Sequence, residues 1–225
     1  MCETCGCGDP ELVPVEVREG LLADNDRRAS HNREHFRRAG TVAVNLMGSP
    51  GAGKTRLLER TAEALRGRLR LAALSGDLAT DLDADRLTAA GVPARSITTG
   101  SACHLDAAMV HDALHHAGFE PPPQLLFVEN VGNLVCPAVY DLGQERNVVV
   151  LSVVEGEDKP LKYPVMFARA DLVVLTKTDL LRDPEPLTAR LRENLARVMP
   201  DPRVLEVPAE GDDRGGLMAW LAWLE

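Results

Sequence analysis

From residue 41 to residue 224 the chain alternates between two hydrophobic patterns. Short apolar runs, rich in β-branched residues or leucine, predict strands at 41–47, 71–75, 94–98, 125–129, 148–154, 172–176 and 203–207. Between them, helical patterns run over 54–66, 83–90, 105–117, 186–198 and 217–224. This alternation predicts an α/β fold, a mostly parallel sheet covered by helices on both faces. Ligands of such sheets bind at the carboxyl ends of the strands. Ahead of the alternating region, residues 1–10 form a glycine- and cysteine-rich head closed by Pro10. Residues 12–17 read as a short extended piece, and about 18–38 as a polar helix ended by Gly40. The apolar positions of that helix, Leu21, Leu22 and Phe36, are sparse, which puts it on the outside. The expected organisation is therefore a head at 1–10, a linker and outer helix at 11–40, and a main domain at 41–225.

Composition narrows the function. Of 225 residues, 45% are hydrophobic and 26% charged, the balance of a folded protein rather than a disordered one. A net charge of −9 argues against binding nucleic acid by general electrostatics. No apolar run is long enough to span a membrane, and the N-terminus has no export signal, so a cytoplasmic location is expected. Five cysteines, three of them within the first seven residues, suit metal or redox chemistry better than a disulfide framework. Only four of the 25 basic residues are lysine: Lys54, Lys159, Lys162 and Lys177. In a chain that otherwise uses arginine, a retained lysine marks places where a compact ammonium fits and a guanidinium does not.

Lys54 belongs to Gly48-Ser49-Pro50-Gly51-Ala52-Gly53-Lys54-Thr55, which fits G-x-x-x-x-G-K-[ST] between a strand and a helix. Gly48, Gly51, Ala52 and Gly53 let backbone N–H groups close around phosphates, Lys54 reaches the β- and γ-phosphates, and Thr55 ligates Mg²⁺. The fold is thus expected to be the three-layer P-loop NTPase fold. Lys177 lies in Thr176-Lys177-Thr178-Asp179, which resembles the guanine motif N-K-x-D. Asp179 would accept from the guanine edge and the Lys177 stem would lie along the base, so GTP is the expected nucleotide. Glu129 ends a strand where such proteins place an acidic Mg²⁺ partner. Asp77, at the same sheet edge, is expected either to ligate Mg²⁺ or to position the attacking water, so Lys54, Asp77 and Glu129 are the catalytic candidates.

Two sets of residues suit soft metals. Cys2, Cys5 and Cys7 offer three thiolates in a glycine-rich loop, fit for Ni²⁺, Zn²⁺ or Cu(I), with a redox pair or a disordered tail as the other readings. Cys103 and His104, at an expected helix start, join Cys136 on the loop after Glu129 as a second set. The remaining histidines, His31 and His35 (with Glu34 in an H-x-x-E-H pattern), His111, His115 and His116, read as solvated helix faces.

Together these motifs resemble the hydrogenase nickel-incorporation GTPase family HypB, of the SIMIBI class of P-loop proteins. The resemblance spans nearly the whole chain. It includes the cysteine head, the P-loop, Gly76-Asp77 with Asp83 to Arg86, the stretch around Cys103-His104, Glu129 through Cys136 to Pro137, and the run from Glu155 to Pro164 that holds Lys159 and Lys162. It implies a Mg²⁺-dependent GTPase that dimerises with nucleotide or metal. It also implies nickel at the N-terminal cysteines and nickel or zinc at Cys103, His104 and Cys136. Implied partners are a HypA-type accessory protein and the nickel–iron hydrogenase large-subunit precursor. Thr176 stands where the family has asparagine, and residues 207–211 depart from its serine-alanine loop, which alters base contacts more than phosphate contacts. The rival readings are a urease-type nickel chaperone GTPase, a small-molecule P-loop kinase and a nonenzymatic metal-storage protein.

Overall fold

Strand β1 (Val42–Met47) is buried along almost all its length, and its side chains alternate between the two faces of the sheet. Val44 and Leu46 face one layer of helices, whereas Ala43 and Met47 face the other. The same alternation holds in β4 (Leu125–Glu129), β5 (Arg146–Ser152) and β6 (Leu172–Thr176), whose residues are apolar on both faces, as a sheet covered on both sides requires. With β2 (Leu71–Asp77), β3 (Ala94–Thr98) and β7 (Val204–Val207) they form one parallel sheet in the order β3-β2-β4-β1-β5-β6-β7. This is a computed structural model, and it describes residues 15–100, 102–208 and 215–225. The cysteine head at residues 1–10 lies outside the described residues.

Helices α2 (Lys54–Leu65), α3 (Leu82–Ala89) and α8 (Gly216–Leu224) cover one face, closed by Leu57, Leu58, Leu87, Trp220 and Leu221. Helices α1 (Val15–Ala39), α4 (Ala107–Ala117), α5 (Lys159–Lys162), α6 (Pro164–Ala168) and α7 (Glu185–Val198) complete the set. Phe36 of α1 and Val110 of α4 bury into the opposite face, as do Met166 and Phe167 of α6 and Leu191 and Leu195 of α7. Among the described residues, no helix is long and apolar enough to cross a membrane.

The N-terminal region differs from the expected one. Residues 15–17, expected to be extended, already belong to α1. That helix is polar, yet it is firmly seated by asparagines rather than by an apolar stripe. Asn25 Nδ2 donates to the Asp141 carbonyl (2.8 Å), and Ala107 N–H donates to Asn25 Oδ1 (2.9 Å). Asn32, fully buried, donates to the carbonyls of Ala107 (2.8 Å) and Leu142 (3.1 Å). Gly143 must be glycine for this seat: its φ is 88° and a Cβ would sit 2.5 Å from the Ala29 carbonyl.

Two other boundaries move. The fifth strand ends at Ser152, because Ser152 and Glu155 close a capping box and turn residues Val153–Glu155 into a 3₁₀ turn. The helix expected from 105 begins at Ala107, with Asp106 as its N-cap accepting from Met109 N–H at 2.8 Å. Cys103 and His104 therefore sit in the bend before the helix, not on its first turn.

Candidate functional site

The loop after β1 is built on glycines that cannot be replaced. A Cβ on Gly48 would sit 2.3 Å from the Val150 carbonyl, and Gly51 and Gly53 take φ of 73° and 98°. Gly53 leads directly into α2, so the loop's N–H groups and the helix N-terminus face a cleft of about 490 Å³. The cleft is lined by Lys54, Thr55, Asp77, Asp83, Glu129 and Lys177, among others. Lys54 is buried, and its ammonium donates to the carbonyls of Gly48 (3.3 Å) and Ser49 (3.2 Å). Burial pushes its pKa down, while Glu129, Asp83 and Glu155 hold the charge in place.

Because β4 lies beside β1 with Leu46 opposite Glu129, the Glu129 carboxylate arrives next to Thr55. The Thr55 oxygen is 2.8 Å from Glu129 Oε1 and 3.0 Å from Asp83 Oδ1. One hydroxyl has only one proton to give to two carboxylates. A proton on Glu129 resolves this, since Glu129 then donates to Thr55 and Thr55 to Asp83. Burial drives the Glu129 pKa in that direction, up to about 7, against the opposing pull of Lys54 and the Thr55 hydrogen bond. Glu129 Oε2 is buried without a hydrogen-bond partner. A buried carboxylate crowded against a hydroxyl and a second acid is the donor set that a hard divalent cation needs.

Asp77 is placed differently. Its Oδ1 accepts from Ala79 N–H (2.9 Å) and Thr80 N–H (3.1 Å), bonds that hold its pKa below the usual carboxylate range and shape the loop after β2. Asp77 lines the cleft, but the acid that joins Glu129 at Thr55 is Asp83, to which the motifs assign no role. Arg86, one turn further along α3, also lines the cleft and is held by Glu59 (2.9 Å) and Asp83 (3.5 Å).

The end of β6 supports the loop from the other side. Thr176 Oγ1 donates to the Ala52 carbonyl at 2.5 Å, a contact that an asparagine would make differently. Lys177 takes a left-handed backbone (φ 61°) and its ammonium donates to the Gly51 carbonyl at 2.7 Å. Asp179 is exposed on the turn Thr178–Leu180. A hollow of about 100 Å³ is lined by Gly53, Leu57, Thr176, Lys177, Val207 and Pro208, among others; Asp179 is not part of its lining. Residues 209–211 of the loop expected to support the base lie outside the described residues.

Behind the cleft the second metal set comes together. Cys103 Sγ, one nitrogen of His104 and Cys136 Sγ all lie within 4.8 Å of one another. Cys103 Sγ donates to Cys136 Sγ at 3.0 Å, and His104 Nδ1 is 3.9 Å from Cys103 Sγ. His104 is buried, and its ring stacks on Tyr140 at 3.9 Å; burial lowers its pKa, which keeps it neutral and able to ligate. Cys136 opens a 3₁₀ turn held by Asn133 Oδ1, which accepts from Val135 N–H (2.7 Å) and Cys136 N–H (3.3 Å). Two sulfurs and an imidazole form a borderline-soft set. Cys2, Cys5 and Cys7 lie outside the described residues.

Known proteins resemble this chain in sequence and in fold. Residues 42–206 match the family described as CobW/HypB/UreG, nucleotide-binding domain. The hydrogenase maturation factor HypB of Rhizobium leguminosarum bv. viciae is 49% identical over 211 residues, 94% of this chain and 70% of that one. The chain belongs to the HypB family. Among solved structures, Helicobacter pylori HypB in complex with nickel superposes with a TM-score of 0.82 at 38% identity, over 89% of this chain and 93% of that one. HypB from Archaeoglobus fulgidus gives 0.79 at 38% identity, over 90% and 98%.

In this HypB-family chain one side chain joins the two candidate sites. Asn130 follows Glu129 and is buried. Its Oδ1 accepts from Leu105 N–H (3.2 Å), next to His104, and from Val131 N–H (3.0 Å); its Nδ2 donates to Asn45 Oδ1 (3.2 Å) on β1. Gly132 follows, so close to Pro50 of the P-loop that a Cβ would sit 2.7 Å from its ring. The run from Glu155 to Pro164 also gains a physical reading. Lys159 sits between Glu155 (3.9 Å) and the Tyr163 ring (5.4 Å), and the Glu157 carbonyl accepts from Asn194 on α7 (2.8 Å). The run is a folded bracket that holds Glu155 near Lys54.

Proposed function

We propose that this chain is a GTP-hydrolysing nickel carrier that helps to insert nickel into the nickel–iron hydrogenase precursor. The observation that carries the reading is adjacency: the segment that leaves β4 at Glu129 of the phosphate cleft runs on to Cys136 of the metal set, and Asn130 ties it to the Cys103-His104 bend. Backbone N–H groups from Gly48 to Thr55 would cradle the phosphates, and Lys54 would neutralise charge developing on the β- and γ-phosphates. Thr55 and Glu129, with Asp83 beside them, fit Mg²⁺. An ion held by these residues would supply positive charge to balance that of the phosphates. Asp77 would position the attacking water. Lys177 and Asp179 would select guanine.

Nickel is cargo in this scheme, held at Cys103, His104 and Cys136, a set that also suits Zn²⁺. Cys2, Cys5 and Cys7 would hold a second nickel. Action as a cytoplasmic homodimer, with a HypA-type accessory protein and the hydrogenase large-subunit precursor as partners, completes the proposal. The test is turnover of GTP against ATP, with and without nickel. GTP should be hydrolysed slowly and selectively, and Lys54→Ala should lose at least about a hundredfold in rate, the usual effect of removing one electrostatic donor. Equal turnover of ATP, or undiminished hydrolysis by Lys54→Ala, would refute the reading.

A further inference from the structure

Four histidines outside the cysteine site meet where α1 packs on α4. His31 and His35 are one turn apart on α1, and His111 and His115 one turn apart on α4. Ring centroids lie 5.1 Å apart for His31 and His111, 4.4 Å for His111 and His115, and 5.9 Å for His35 and His115. The rings form one continuous row across two helices. The pattern within each helix reads as a solvated face; only the docking of α1 through Asn25 and Asn32 brings the two faces together.

The row is more than ring contact, because Asn32 sets the chemistry of its innermost member. Both hydrogens of Asn32 Nδ2 are used on the carbonyls of Ala107 and Leu142, which fixes the amide's orientation. Asn32 Oδ1 therefore faces His111 Nδ1 at 3.2 Å as an acceptor. His111 must carry its proton on Nδ1, leaving the Nε2 lone pair open. A second group that fixes the tautomer in this way accompanies nearly every metal-bound histidine. His31, His35 and His115 are exposed; their ring nitrogens do not converge within 4.8 Å as placed, so a common ion would draw these rings together by side-chain rotation. Glu34, between the two α1 histidines, is engaged with Arg37 and Arg38 at 2.8 Å each, leaving the imidazoles as the ligand set.

We propose that His31, His35, His111 and His115 form a site for one divalent transition-metal ion of the class that imidazole prefers, such as Ni²⁺, Zn²⁺ or Cu²⁺. The site is separate from Cys103, His104 and Cys136, and it does not depend on the GTPase reading. All-nitrogen ligation makes it harder and more labile than the thiolate set, suited to taking up an ion at the surface.

The test is a calorimetric titration of the full chain with Ni²⁺, repeated on a full-length His31→Gln/His35→Gln/His115→Gln variant. All three side chains are exposed, so the variant should fold, and an unchanged melting temperature without metal verifies this. The variant should take up one equivalent fewer, and the lost equivalent should carry no thiolate charge-transfer absorbance. A full-length protein with all five cysteines changed to serine should still bind one Ni²⁺, at least tenfold more tightly than the same protein carrying the histidine changes. The single variants His35→Gln and His115→Gln should each weaken that equivalent. Equal stoichiometry and affinity with and without the histidines, or no uptake by the cysteine-free protein, would overturn the proposal.

Discussion

Glu129 illustrates how one residue's stability and function pull apart. Its pKa is raised from 4.5 to about 7 by burial, so the folded, metal-free protein keeps a proton that the unfolded chain releases. The group's contribution to stability is thus fully present below about pH 4.5 and is lost as pH rises to about 7. Glu129→Gln removes that penalty. In metal-free protein it should raise stability at pH 8 by up to about 3 kcal/mol, with the gain vanishing near pH 4.5. The same variant should lose Mg²⁺-dependent GTP hydrolysis. Urea denaturation at the two pH values checks the first outcome, and a gain that is larger at pH 4.5 than at pH 8 would contradict the assignment. The candidacy of Glu129 was legible, since it ends an apolar strand after a P-loop. Asp83 was not, because its distance from Thr55 depends on how α3 packs on α2, which no spacing rule gives.

At the scale of elements, all seven strands were legible because β-branched, doubly buried runs have few other places to go. What the pattern hid was polar docking. Asn25 and Asn32 look like solvent positions in a helical repeat, yet they saturate carbonyls between α4 and the β4–β5 connection. The bracket made by α5 and α6 was hidden for a related reason, since helices of four and five residues opened by proline leave no periodicity. Likewise, the end of β5 was blurred by Val153 and Val154, apolar residues in a capped turn. Asn130 is the element-level counterpart of Glu129, a single amide joining β4, β1 and the Cys103-His104 bend. Asn130→Ala leaves the N–H groups of Leu105 and Val131 and the side-chain oxygen Oδ1 of Asn45 without that partner. A loss of about 1–3 kcal/mol is expected for such buried orphans. A loss below about 0.5 kcal/mol, measured by denaturant unfolding, would mean that water replaces the amide and that the bend is held elsewhere.

For the whole molecule, the proposal makes the phosphate cleft and the cysteine–histidine set two ligand sites joined by the loop that follows β4. A loop held one way by γ-phosphate and another way after hydrolysis is a two-state element that either ligand can bias. Coupling is reciprocal: if the nucleotide state changes metal affinity, metal changes nucleotide affinity by the same factor, commonly about 5–150-fold. In this account hydrolysis times the release of nickel, and Asn130 is part of the connection. The most direct test is a competitive nickel titration of full-length protein with Cys2, Cys5 and Cys7 changed to serine, in its GDP-bound and GTP-analogue-bound forms. The surface histidines are changed to glutamine in the same protein, so that only Cys103, His104 and Cys136 report. Affinities that differ at least fivefold between the two forms, with the difference abolished by Cys136→Ala, are the predicted result; equal affinities would contradict the account and leave the metal set a static structural site.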